Sequence, residues 1–189
     1  MGPDEAPAFV AHRLTGLTGT RWVGIDGKGA AGKTTLAGAV AEALADAVVV
    51  HVDDFARPSV ETWERDRFVA QVLAPLAAGR PARYVRWDWG SDASAGWAEV
   101  PAGVPVVVEG VSSTDVRLGV PWDVTLWVEV PDEVRLARAL ERDGEAMREQ
   151  WVERWMPAED AYEAAQRPQD RVDAVVVEPR AGFPTLVEP

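Results

Sequence analysis

Apolar and polar positions follow two rhythms along this chain of 189 residues. Short, continuous apolar runs recur at "RWVGI" (21–25), "AVVVHV" (47–52), "VPVVVEG" (104–110), "DVTLWVEV" (123–130) and "VDAVVVE" (172–178). Runs of this length with no polar face suit strands buried on both sides. Between them the apolar spacing widens to three and four. Leu36, Val40, Ala43 and Leu44 mark one face of a helix from about Lys33 to Ala47. Phe68, Val72 and Leu76 mark another from Glu61 to Ala78, ended by "AGRP". "PDEVRLARALERDGEAMREQWVERWM" reads as a third, with a proline suited to its first position and Asp132 and Glu133 in the first turn. Strands alternating with helices predict an α/β fold with a mostly parallel sheet. The segment 80–103, rich in Trp, Asp and Gly, predicts a short hairpin or loop excursion. A polar stretch with Arg167 and Pro168 precedes the last strand, and 179–189 reads as an irregular arm.

No repeat, low-complexity tract or linker interrupts this pattern, and the length fits a single domain over 1–189 with its core at about 20–178. A hydrophobic fraction of 47% and a charged fraction of 26% are those of a globular chain. The net charge of −12 argues against a nucleic-acid partner, which needs a basic stripe. It leaves a nucleotide site open, because backbone N–H groups and one or two cations build such a site locally. The absence of cysteine removes disulfides, thiolate metal sites and cysteine nucleophiles, and is compatible with a reducing cytoplasm. The start "MGPDEAPAFVAHRL" lacks the basic and apolar regions of a signal peptide, and no apolar run approaches a membrane span. A cytoplasmic protein with no membrane partner is the expectation; the oligomeric state is left open. His12 and His51 are too few and too far apart for a histidine metal site.

Between the first strand and the first helix lies "GKGAAGKT" (27–34), which meets G-x-x-x-x-G-K-[ST] through Gly27, Gly32, Lys33 and Thr34. A turn rich in Gly and Ala can simply join a strand to a helix. In this strand–loop–helix context the pattern reads as a phosphate loop. Gly27, Lys28, Gly29, Ala30, Ala31, Gly32, Lys33, Thr34 and Thr35 would cradle a nucleoside triphosphate, with ATP the expected one. Lys33 would reach the β- and γ-phosphates, and the Thr34 hydroxyl would bind Mg²⁺. The chain contains no asparagine, so the N-K-x-D element of most GTPases is excluded. It also lacks an L-S-G-G-Q-like transporter signature and is short for a mechanochemical ATPase, which leaves a small-molecule kinase.

Transfer of a phosphoryl group to a hydroxyl needs a carboxylate to take the proton and Mg²⁺ to bridge the triphosphate. In parallel sheets such groups stand at the carboxyl ends of strands. "VVVHVDDF" ends in Asp53 and Asp54, and "VVVEG" ends in Glu109. Aspartates after a strand also serve as turn or cap residues, and Glu109 could be a solvated strand end. One βα unit beyond a phosphate loop, Asp53 and Asp54 fit a functional role better than a cap, and Glu109 fits Mg²⁺ coordination, direct or through water. In "RLARALERD", Arg135, Arg138 and Arg142 share a helix face that would ordinarily be a solvent face. In a kinase the same face supplies cations to the transferring group, a role assigned to Arg138 and Arg142, with Arg135 structural.

In order, "IDGKGAAGKTTLA", "VDDFARP", "RWDW", "VVVEGV", "RLARALERD" and "RVDAVVV" run over roughly 21–178. Together they resemble the uridine kinase-like branch of P-loop kinases, which includes nucleoside kinases, phosphoribulokinase and nicotinamide riboside kinases. The resemblance implies a five-stranded parallel sheet between helices with a helical lid, here about 138–160. It also implies that Asp53 is the catalytic base ahead of an aromatic residue, Phe55. Glu109 becomes the Mg²⁺-associated glutamate, Arg138 and Arg142 lid arginines, and Asp88 part of the acceptor pocket. Ala56 and Trp87 depart from the tyrosines usual in uridine kinases, and the tryptophan-bearing lid is also unlike theirs.

Nine tryptophans are many for this length. Trp22 and Trp127, inside strands, are expected in the core; Trp151 and Trp155, four apart, suit helix packing and an aromatic pocket equally well. Trp87 or Trp89 is expected to stack a planar acceptor. The sequence therefore predicts an ATP- and Mg²⁺-dependent kinase of a small-molecule hydroxyl, a nucleoside 5′-hydroxyl in the first instance. Asp53, Asp54, Phe55, Trp87, Asp88 and Trp89 would hold the acceptor. The alternatives are another hydroxyl metabolite (a vitamin precursor, sugar or antibiotic) and a nucleotide-binding regulatory protein of the same fold.

Overall fold

The computed structural model describes residues 1–57, 62–88 and 91–177. In chain order its strands are β1 (Arg21–Gly27), β2 (Val48–His51), β3 (Ala82–Asp88), β4 (Ala93–Val100), β5 (Pro105–Glu109), β6 (Val124–Glu129) and β7 (Ala174–Val177). The five apolar runs pair as one parallel sheet in the order β2-β5-β1-β6-β7. β3 and β4 form a separate antiparallel hairpin, as the excursion at 80–103 predicts.

Period-two alternation divides the sheet's side chains between two cores. Trp22, Val106 and Val108 face one layer, with Val50, Phe55, Trp63, Phe68, Val72 and Leu76. Val23, Ile25 and Val107 face the other, with Leu36, Val40, Val124, Leu126 and Val128. That second layer is closed by α1 (Ala6–Leu14), which buries Ala6, Val10 and Leu14 against α2 (Lys33–Ala43). These three residues stand four apart, a helical spacing visible in the sequence. Trp22 and Trp127 are buried, as expected of strand tryptophans.

The helical elements differ from expectation where backbone geometry overrides pattern. α2 ends at Ala43, not Ala47, with Leu44 extended. The helix expected from Glu61 begins, among described residues, at Arg65 and runs to Ala77, with Phe68, Val72 and Leu76 buried and a π-turn at Val69–Leu73; Glu61 itself lies outside them. The third helix is two. An arginine helix, Asp132–Asp143, stops at Gly144, whose φ of 90° no helix accommodates. Pro131 (φ −57°, ψ 144°) precedes that helix rather than opening it. A lid helix then runs over 148–166, with a π-turn at Trp151–Trp155, well beyond the predicted end. The predicted arm at 179–189 lies outside the described residues. Among the described residues no helix is long and apolar enough to cross a membrane.

Candidate active site

The carboxyl ends of β1, β2 and β5 meet on one edge of the sheet, flanking the point where strand order reverses about β1. Register fixes who meets whom: Glu109 pairs with Ile25 of β1 on one side and with His51 of β2 on the other. β1 runs on into the phosphate loop. Gly27 holds φ 149°, and a Cβ there would stand 2.7 Å from the Val128 carbonyl oxygen, so only glycine fits. Ala30 (φ 58°) and Gly32 (φ 91°) complete the turn, and α2 starts at Lys33 with its amino end on the loop. Lys33 is buried, and its ammonium donates to the Lys28 carbonyl at 2.7 Å. Burial lowers the Lys33 pKa against the charges of Glu109, Asp26, Glu159 and Asp53.

Thr34 and Glu109, assigned separately to Mg²⁺, come together: the Thr34 hydroxyl donates to Glu109 Oε1 at 3.1 Å. Glu109 is buried, and the same oxygen lies 2.5 Å from His51 Nδ1. The hydrogen bond to Glu109 raises the His51 pKa. Among the described residues no group of three or more His, Cys, Asp and Glu side chains could hold a metal by itself. A hydroxyl and a carboxylate are nevertheless the hard donors that Mg²⁺ takes alongside phosphate oxygens and water, so this pair fits a nucleotide-bound Mg²⁺.

Asp53 and Asp54 sit in a 3₁₀ turn, Val52–Phe55, directly after β2. Solvent reaches Asp53, yet protein crowds it; desolvation and the Glu109 charge raise its pKa, while Lys33, His51 and Arg142 pull it down. Lys33, Asp53, Glu109 and Arg142, drawn from four separate segments, thus share one electrostatic field. Asp54 is half-buried and accepts from the Tyr84 hydroxyl at 3.1 Å; burial raises its pKa against that bond.

No protein-family model matches this sequence, and no curated protein does. Solved structures do. A candidate fructose transport system kinase from Silicibacter sp. TM1040 superposes with a TM-score of 0.75 at 23% identity, over 93% of this chain and 98% of that one. A possible uridine kinase from Bacillus stearothermophilus does so with a TM-score of 0.68 at 19% identity, over 91% and 97%. The fold is that of the P-loop kinases.

Within this P-loop kinase fold the remaining expected site residues take different places. Arg142 lies on the arginine helix, bonded to Asp143 at 2.7 Å and 5.9 Å from the Trp151 ring; Arg138, one turn earlier, is half-buried. Arg135 turns inward: it is 1% exposed and bonds Asp132, Glu159 and the Gly29 carbonyl. Two expectations change. Phe55 is no pocket wall; it is fully buried, stacked on Tyr84 at 4.9 Å and edge-on to Phe68 and Trp63. The Lys28 ammonium points away from the loop to Asp160 and Glu163 of the lid helix, each at 2.7 Å, so only its main chain remains available to a loop ligand. Trp87 is half-buried beside Arg57, 5.8 Å from its ring, and its Nε1 has no hydrogen-bond partner among the described residues. Asp88 is exposed at the end of β3 and accepts from the Ser91 N–H. Trp89 lies outside the described residues.

Three residues that sequence reasoning missed organise the site. Asp26, fully buried, accepts from the N–H groups of Gly27, Ser112 and Thr114 and from the Thr114 and Tyr162 hydroxyls. An acid ending an apolar strand just before the loop was its signal. His51 had one too, standing at a strand end two residues before Asp53. Glu159, inside "PAEDAYE", had none.

Proposed function

We propose that the chain is a Mg²⁺- and ATP-dependent phosphotransferase acting on a small-molecule hydroxyl, in the first instance the 5′-hydroxyl of a nucleoside or nucleoside-like compound. The observation that carries this reading is the convergence of Lys33, the Thr34–Glu109 pair, Asp53 and Arg142 at the carboxyl ends of β1, β2 and β5. Gly27 to Thr35 would hold the triphosphate through main-chain N–H groups. Asp53 would accept the proton of the acceptor hydroxyl as its oxygen forms a bond to the γ-phosphorus and the bond to the ADP oxygen breaks. Lys33, Arg138 and Arg142 would balance the charge on the transferring group. Mg²⁺, held through Thr34 and Glu109, would neutralise the β- and γ-oxygens.

The acceptor surface would be formed by Asp54, Trp87 and the β3–β4 hairpin, with Phe55 beneath it, stacked on the Tyr84 that bonds Asp54. One neighbour is named for fructose transport and the other for uridine, so sugars stand beside nucleosides as the classes to test. The test is incubation of the purified protein with Mg²⁺, ATP and a panel of nucleosides, nicotinamide riboside, pantothenate and simple sugars, read by mass spectrometry. A product heavier by one phosphoryl group is expected. Asp53→Asn should lower its formation by about 10²–10⁴-fold, the usual worth of a positioned base, with ATP binding retained. ATP binding without product on any acceptor would refute the transferase reading and favour the regulatory one.

A further inference from the structure

The lid helix does more than face the nucleotide loop: four residues within little more than one of its turns grip the loop's entry. Tyr162 donates to Asp26 at 2.6 Å, Asp160 and Glu163 pair with Lys28, and Glu159 Oε1 accepts the Gly29 N–H at 2.9 Å. The other Glu159 oxygen pairs with Arg135 at 2.8 Å, and Arg135 in turn donates to the Gly29 carbonyl at 3.0 Å. One buried ion pair therefore holds Gly29 on both sides, by its N–H and by its C=O, and so fixes the peptide planes that lead into Ala30 (φ 58°). Glu159 is 7% exposed, and burial raises its pKa against the pull of Arg135. The contact is close: a Cβ on Gly29 would meet Glu159 Oε1 at 2.6 Å and the Trp151 ring at 2.7 Å. Trp151 belongs to the π-turn, and its Nε1 ties back to Asp143, just before the Gly144 break.

A buried ion pair is no gain in stability over an apolar pair of the same size, so its place here calls for another reason. We propose that Glu159 and Arg135 are positioning residues that couple the phosphate loop to the lid, so that a polyphosphate bound in the loop and the ordered state of segment 144–156 stabilise each other. This rests on the nucleotide reading of the loop given above. The loop cannot shift at Gly29 without moving Glu159, and Glu159 stands on the same helix as Trp151. Because coupling between two sites is reciprocal, the factor by which a loop ligand favours the ordered lid equals the factor by which the lid favours the ligand.

The experiment is amide hydrogen exchange of segment 144–156, with and without Mg²⁺ and the β,γ-imido analogue of ATP, alongside the analogue's dissociation constant by calorimetry. In the wild type the analogue should slow exchange there by at least about fivefold, the lower end of ordinary site-to-site coupling. In Glu159→Ala, with exchange in β1 and β5 unchanged as proof of folding, that slowing should vanish, and affinity should fall by the same factor. Gly29→Ala attacks the contact from the loop side and should give the same loss. Should Glu159→Ala not fold, Glu159→Gln carries the test: it keeps the side chain's size and an acceptor for Gly29 but loses the charge facing Arg135. Weaker binding with an undiminished lid response would show Glu159 to be mere loop support and overturn the proposal. Failure of the wild type to bind the analogue would overturn the nucleotide reading, and the coupling with it; binding with an uncoupled lid in the wild type would overturn the coupling alone.

Discussion

Replacing Asp26 by asparagine tests whether one buried carboxylate sets the geometry of the phosphate loop. The carboxylate is inaccessible to solvent and accepts five hydrogen bonds, three from main-chain N–H groups and two from hydroxyls. An asparagine oriented to keep its oxygen on Gly27 and Ser112 points its NH₂ at the Thr114 N–H, while the Thr114 and Tyr162 hydroxyls can rotate to accept. The orphaned Thr114 N–H costs about 1–3 kcal/mol, and the four surviving bonds each lose about 1 kcal/mol on becoming neutral. Removing a buried charge returns several kcal/mol. The net loss is about 2 kcal/mol, and at about 2–4 °C per kcal/mol for a chain of this size the melting midpoint should fall by about 4–8 °C. Thermal unfolding followed by circular dichroism reads the midpoint, and titration with the imido analogue of ATP reads the loop. Binding should weaken as well, because a neutral amide holds the Gly27 N–H, the loop's first anchor, less firmly than a carboxylate does. An unchanged midpoint together with unchanged affinity would refute the reasoning, since it would mean that the Thr114 N–H finds another acceptor and the four surviving bonds lose nothing on becoming neutral.

Two further outcomes follow from the same geometry. A base works only when ionised, and the raised pKa of Asp53 moves its ionisation to higher pH; kcat/KM should therefore fall on the acid side at a pH above the ordinary aspartate value of about 3.9. An acid limb at or below that value would remove either the base assignment or its environment. Phe55→Leu should cost about 1–2 kcal/mol of stability in denaturant unfolding, through lost ring contacts, and leave the KM for the acceptor unchanged; a KM effect without a stability effect would return Phe55 to the acceptor pocket.

What was legible in the sequence is what the chain spells locally. Each central strand is a run of consecutive apolar residues, because a strand covered on both faces needs no polar side, and all five runs form the sheet. The loop, Asp53 and Glu109 stand at the ends of those runs, so knowing where a strand stops was enough to place them. Helix bounds were less legible, because periodicity continues across a break made by a single φ. "ERDGEAMREQW" keeps a helical rhythm through Gly144, and only its φ of 90° separates the arginine helix from the lid helix. Phe55 departs from its motif's implication for a related reason: the motif implies a pocket position, whereas a 3₁₀ turn places the ring in the core beside Tyr84, Phe68 and Trp63.

The contacts that tie the lid to the loop could not be read at all, and the cause is geometric. Gly29 and Glu159 are 130 residues apart, and Asp26 and Tyr162 are 136 apart. Within "PAEDAYE" the two adjacent acids look equivalent, yet the Glu159 side chain is 8% exposed and that of Asp160 54%. Successive residues of a helix differ by about 100° in direction, so which acid turns inward depends on the rotation of the whole helix against the loop. Trp151, close against Gly29, and Tyr162, bonded to Asp26, lie on the same inward-facing side as Glu159, and both of their partners are far away in the chain. A buried acid in such a helix therefore looks, in sequence, like any solvent-facing one. It is distinguished only by its partners, a main-chain N–H and an arginine that itself serves the loop, and these partners make Glu159 part of the site's geometry rather than of its surface.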